Sequence, residues 1–168
     1  MVTAAEYLKH ASEINKIAGI ALRLESRNAT AIAAKISIGL SLQAIELAGK
    51  SILRALGHSV EDIRQHRKHD LITLLRQAQT ELQQRTEKGL DPYRHFLLWT
   101  PTIDGILMGN TILAYFERHF AEGATAFPRN YFYPDESVFT GPVPIHAIKI
   151  IAQYIIEVAE NIDNIIEG

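Results

Sequence analysis

Apolar residues recur at helical spacing in several stretches of this chain, separated by polar or Pro/Gly-rich runs. Thr3 and Glu6 form a Thr-x-x-Glu capping box, which predicts a helix starting there. Leu8, Ala11, Ala18, Ala21 and Leu22 give that helix a narrow stripe of mostly small residues, so a neighbour can come close. The polar run 25–28 ends it. A second helix is expected over about 29–56, stopped by Gly57. It is apolar on two sides, through Ile38, Leu42, Ile45, Ile52 and Leu56 and through Ile36, Leu40 and Leu47, as expected of a central helix with several neighbours. Gly39 and Gly49 mark places where a neighbour can approach. Ser59 can cap a short turn. A polar and basic connection, residues 64–70, leads into a third helix near Asp70, with Leu71, Leu74, Leu75, Ala78 and Leu82 on its buried face.

Residues 90–100 read as a packed aromatic loop. Thr100 and Pro101 read as the start of a fourth helix, with Gly105 and Gly109 marking a bend. Residues 122–144 hold four prolines and lack helical periodicity. A last helix over 145–166 buries Ile148, Ile151, Ile155, Val158, Ile162 and Ile165. No strand is expected. The pattern predicts an all-α fold, a helical bundle of about five helices.

A chain of 168 residues, 47% hydrophobic, is the size of one domain with a proper core, so 1–168 is taken as a single unit. A net charge of −2 excludes a generally basic nucleic-acid coat and leaves room for a local basic patch. There is no cysteine, which removes thiolate metal sites and cysteine nucleophiles. The N-terminal stretch lacks a secretory pattern. Lys35, Gln43, Glu46, Lys50 and Arg54 interrupt the most apolar window, so no membrane span is expected, and the expected setting is cytoplasmic. No metal-ligand spacing and no phosphate-cradling glycine loop is present, so neither a metal nor a cofactor is expected.

Chemistry concentrates in the basic connection, which packs Arg64, Gln65, His66, Arg67, Lys68, His69 and Asp70 between two helices. Histidine suits proton transfer near neutral pH, and a guanidinium suits the charge that develops on a phosphate under attack. Arg64 and His69 form an Arg-x4-His pattern. At i,i+5 they do not share one face of a regular helix, so they converge only through a turn or across two subunits. The structural alternative for His69-Asp70 is helix capping by Asp70. For Arg64, Arg67 and Lys68 it is a solvated cluster. Gln43, Glu46, Lys50 and Arg54 align as a polar stripe on the second helix, with Glu46 and Lys50 in the favourable i,i+4 order. That stripe reads either as a solvent face or as a polar wall, with Lys50 and Arg54 holding phosphate and Glu46 orienting a base.

In order along the chain, three segments carry a family resemblance. The first is Glu46-Leu47-Ala48-Gly49-Lys50-Ser51-Ile52-Leu53, the second His69-Asp70-Leu71 with Leu74-Leu75, and the third Arg129-Asn130-Tyr131-Phe132-Tyr133-Pro134-Asp135-Glu136. They resemble the Glu-x3-Lys-x-Leu-Leu, His-Asp-Leu-x2-Leu-Leu and Arg-Tyr-Pro-Asp segments of HEPN domains (higher eukaryotes and prokaryotes nucleotide-binding). The resemblance runs from about Ile36 to the C-terminus. It implies an up-down bundle, a homodimer, and a place beside nucleotidyltransferases or in toxin–antitoxin and defence systems. It further implies RNA or a nucleotide as partner. Many members are metal-independent endoribonucleases with an Arg-x(4–6)-His motif, which falls here on Arg64 and His69. Lys50, Arg54, Arg67 and Lys68 would hold phosphate, and Glu46 and Asp70 would orient. Other members bind a nucleotide or dock a nucleotidyltransferase without catalysis. Gln65 stands where active members more often carry Asn, Asp or His.

Overall fold

The structure is a computed structural model and describes residues 2–25, 31–67, 70–85, 105–107, 111–120 and 145–167. The described elements are all helical: α1 (Ala4–Glu25), α2 (Ala31–Ala55), α3 (Val60–Arg67), α4 (Leu71–Arg85), α5 (Ile112–His119), α6 (Ile145–Glu160) and α7 (Ile162–Glu167), with no strand among the described residues. The aromatic loop at 90–100, the start of the fourth helix at Thr100, the Pro-rich connection and the segment from Arg129 to Glu136 lie outside the described residues.

The start of α1 is the expected capping box. Glu6 Oε2 accepts from the Thr3 amide at 2.7 Å, and the Glu6 amide donates to Thr3 Oγ1 at 3.2 Å. Ala11, Ala18 and Ala21 are buried, and two serines of α2 use the close approach they allow. Ser37 Oγ donates to the Ala18 carbonyl at 3.0 Å, and Ser51 Oγ to the Ala4 carbonyl at 2.9 Å. Advancing along α2 therefore means retreating along α1, so the two helices are antiparallel.

Helix α2 is the centre of the fold, touching α1, α3, α4, α6 and α7. Its residues Ile38, Leu42, Ile45, Ile52 and Leu56 join one core with Leu71, Leu74 and Leu75 of α4 and Ile148, Ile151 and Ile155 of α6. Gly49 allows the crossing with α4. A Cβ there would stand 3.0 Å from Leu74 Cδ2 and 3.3 Å from its Cγ. By length and composition alone, Ala33–Ala55 is apolar enough to cross a membrane, despite the charges that interrupt it, but 72% of that window is buried inside this fold. Gly57, at φ +98°, ends the helix. The Gly57 amide donates to the Arg54 carbonyl at 3.1 Å and the His58 amide to the Leu53 carbonyl at 3.0 Å, a Schellman closure.

Two elements depart from the sequence pattern. Thr111, in extended conformation, caps a separate α5, its Oγ1 accepting from the Ala114 amide at 3.0 Å, so the expected fourth helix is not continuous through this point. The last helix breaks at Asn161, although all six of its expected core residues are buried. Among the described residues, three large apolar side chains, Ile17, Ile20 and Ile36, stand exposed.

Candidate functional site

The polar stripe of α2 is not a solvent face. Glu46 is buried, and Gln43, Lys50 and Arg54 are half-buried, because α2 is surrounded rather than laid on a surface. Lys50 Nζ lies 2.5 Å from Glu46 Oε1, with the two side chains 11% and 7% exposed. The i,i+4 pair expected from sequence therefore forms, in a nearly dry setting where an unpaired charge is costly.

Arg54 turns to the end of its own helix, where its Nη1 donates to the His58 carbonyl. Its Nε–H is buried and has no acceptor among the described residues. Arg85 Nη2 of α4 donates to the Leu56 carbonyl at 2.6 Å. At the same turn, His58 Nε2 lies 2.6 and 2.7 Å from the oxygens of Glu81, and Gln77 Nε2 donates to Glu81 Oε1 at 2.8 Å. Burial pushes the Glu81 carboxyl up. The hydrogen bonds from Gln77 and His58, with the nearby Arg85, outweigh it and hold the group below the usual carboxylate range. The sequence reading named Arg54 but missed His58, Glu81 and Arg85. His58 and Glu81 are 23 residues apart, and no local spacing marks them.

The basic connection is mostly helix. Ser59 and Asp62 form a second capping box, with the Ser59 amide to Asp62 Oδ2 at 3.2 Å and the Asp62 amide to Ser59 Oγ at 3.0 Å, and α3 runs from Val60 to Arg67. The cap at Ser59 is the one expected for a short helical turn, but the low apolar content of the segment hid how far the helix runs. Arg64 is exposed and makes no hydrogen bond or ion pair with the described residues. It borders an open groove of about 490 Å³ together with Val2, Glu6, Ser59, Val60 and Glu61, so two carboxylates share that groove with it. Arg67 is the last residue of α3, and Lys68 and His69 lie outside the described residues. Asp70 caps α4. Its carbonyl accepts from the Leu74 amide at 2.9 Å, and its carboxylate accepts from Thr73 Oγ1 at 2.6 Å and from the Thr73 amide at 3.4 Å. The structure thus joins Glu46 to Lys50 and places Arg54 on the α2–α3 turn, while Arg64 stands apart from both.

A further polar seam joins α1 and α6. Asn15, 2% exposed, accepts from Lys149 Nζ at 2.9 Å and donates to Gln153 Oε1 at 3.0 Å. Burial, and then the charge of Arg23, lower the Lys149 amine below its ordinary value. Burial pushes the Tyr115 hydroxyl up to about 12. Burial, with Arg118 adding, lowers the His119 imidazole below its ordinary value. Among the described residues no three His, Asp or Glu side chains group as metal ligands would.

Searches with this chain found no matching family model, no similar curated protein and no similar solved structure.

Proposed function

We propose that this chain is a HEPN-like up-down helical bundle that binds RNA or nucleotide phosphate and cleaves RNA without a metal. The observation that carries the reading is the Lys50–Glu46 pair, nearly dry on the central helix at the segment similar to the family's Glu-x3-Lys. Two long polar side chains held out of water are costly unless they are paired, and this pairing anchors the polar wall on which Arg54 also stands. The Asp70 cap at the start of α4 fits the His-Asp-Leu segment. In this reading Arg64 stabilises the phosphate under attack and His69 moves a proton, each meeting its counterpart across a homodimer. Lys50, Arg54, Arg67 and Lys68 supply positive charge, and Glu46 and Asp70 orient their neighbours. The setting is cytoplasmic, within a toxin–antitoxin or defence module.

A second reading is a non-catalytic domain that holds a nucleotide or docks a nucleotidyltransferase. Two observations favour it: Asp70 is engaged as a cap, and Glu6 and Glu61 share the groove of Arg64, which weakens its potential for an anion. Thermal melts with added nucleotides separate the two. Nucleotide-dependent stabilisation without RNA cleavage supports the binding domain, and cleavage in excess EDTA supports the ribonuclease.

A further inference from the structure

The turn between α2 and α3 carries a histidine–carboxylate pair that the ribonuclease reading leaves unused. Glu81 is held below the usual carboxylate range, so it is ionised near neutral pH and can only accept hydrogen bonds. Both of its oxygens face His58 Nε2, at 2.6 and 2.7 Å, so that nitrogen carries the proton. In the neutral ring the lone pair then sits on Nδ1, which meets no partner among the described residues. The His58 side chain is 20% exposed. This is the arrangement of a general base whose tautomer and direction are fixed by a carboxylate.

The surroundings suit an anion. A helix C-terminus ordinarily repels negative charge because its last carbonyls point outward. Here the Leu53 and Arg54 carbonyls are closed by the His58 and Gly57 amides, and the Leu56 and His58 carbonyls accept from Arg85 and Arg54. Two guanidiniums therefore reach carbonyls at the end of α2 through their Nη groups, and the fully buried Arg54 Nε–H has no acceptor among the described residues. Arg54 on the His58 carbonyl and Arg85, whose charge acts on Glu81, bring guanidiniums to the turn that carries the imidazole. The two group types together suit transfer at a phosphodiester.

We infer that His58 is a proton-transfer base for RNA cleavage, positioned by Glu81, with Arg54 and Arg85 holding the scissile phosphate. The inference rests on the ribonuclease reading for its reaction, but sets the base and the phosphate at the α2–α3 turn in place of His69 and Arg64. His58 Nδ1 takes the proton of the 2′-hydroxyl as its oxygen bonds to phosphorus. The bond from phosphorus to the 5′ oxygen breaks, that oxygen takes a proton from water, and the imidazolium returns its proton to the hydroxide so formed. The products are a 2′,3′-cyclic phosphate and a 5′-hydroxyl.

The test is cleavage of a structured RNA by the full chain in excess EDTA, comparing wild type, His58→Ala and Glu81→Gln, with and without added imidazole. His58→Ala is expected to lose roughly 10²–10⁴-fold in kcat, and imidazole to restore part of it. Glu81→Gln keeps an acceptor for Nε2–H but removes the charge. It is expected to lower kcat by a smaller factor, with KM near wild type. An active wild type with an unaffected His58→Ala overturns the inference and leaves the ribonuclease reading standing. So does a folded, inactive His58→Ala that imidazole does not rescue, because a clasp between helices predicts that result. If His58→Ala does not fold, Glu81→Gln decides: a fall in kcat supports the inference and an unchanged kcat overturns it. An inert wild type overturns the ribonuclease reading itself.

Discussion

Lys50 Nζ stands 2.5 Å from Glu46 Oε1, one turn along the central helix, with neither side chain more than about a tenth exposed. Removing Lys50 takes away the ammonium that stands 2.5 Å from a buried carboxylate. Lys50→Met is expected to destabilise the protein by about 3–5 kcal/mol in urea unfolding. Pairing it with Glu46→Leu is expected to recover much of that loss. A single variant within the error of wild type would mean that water already reaches the pair.

Gly49 lies against Leu74, which is itself 1% exposed and held by the core. Alanine improves helix propensity by roughly 1 kcal/mol, but the added methyl meets Leu74 at 3.0 Å in a close-packed region, where overpacking costs roughly 1–3 kcal/mol. Gly49→Ala is expected to lower Tm, and Gly49→Ala with Leu74→Val to lower it less than the two single effects sum to. A rise in Tm on Gly49→Ala contradicts the close approach.

Asp70 caps α4 through its carboxylate and its carbonyl. Asp70→Ala is expected to cost about 1 kcal/mol, and Asp70→Asn, itself a good cap, only a few tenths. Urea melts of the two variants check the capping. RNA cleavage by Asp70→Asn then separates the cap from any orienting role: an unchanged rate leaves the cap as its whole contribution.

Glu81 has a folded pKa below that of the unfolded chain, because Gln77, His58 and Arg85 outweigh its burial. A depressed carboxylate adds stability that is complete above the unfolded value, about 4.3, and is lost as pH falls through the folded value. Stability measured from pH 6 down to acid should therefore fall less steeply in Glu81→Gln than in wild type. Parallel curves would show that the contacts of Glu81 do not discriminate between its two protonation states.

What could be read from the sequence was local. Thr3 with Glu6, Gly57 after α2 and the five leucine and alanine positions of α4 each announce themselves within a turn or two, and each stands in the structure as expected. The stripe on α2 was also visible, but its burial was not. Whether Glu46 and Lys50 face water depends on what packs against them, and that is decided by helices far along the chain. Asn15 looked like an ordinary polar interruption of α1, yet it is buried because Lys149 and Gln153 of α6 satisfy it. His58 had no readable partner for the same reason: Glu81 arrives on α4, after α3 has turned the chain back. Helix α3 itself was obscured by its own residues. VEDIRQHR has only two apolar positions, so a cap and charge spacing had to do what hydrophobic periodicity does elsewhere.

The central claim is that Arg64 and His69 cleave RNA without a metal. The most direct measurement is digestion of a structured RNA by purified protein in excess EDTA, wild type beside Arg64→Ala and His69→Ala, with circular dichroism confirming that each is folded. The ribonuclease reading predicts cleavage by wild type alone. An inert wild type, or equal cutting by all three proteins, contradicts it, and the nucleotide-binding or partner-docking reading then takes its place.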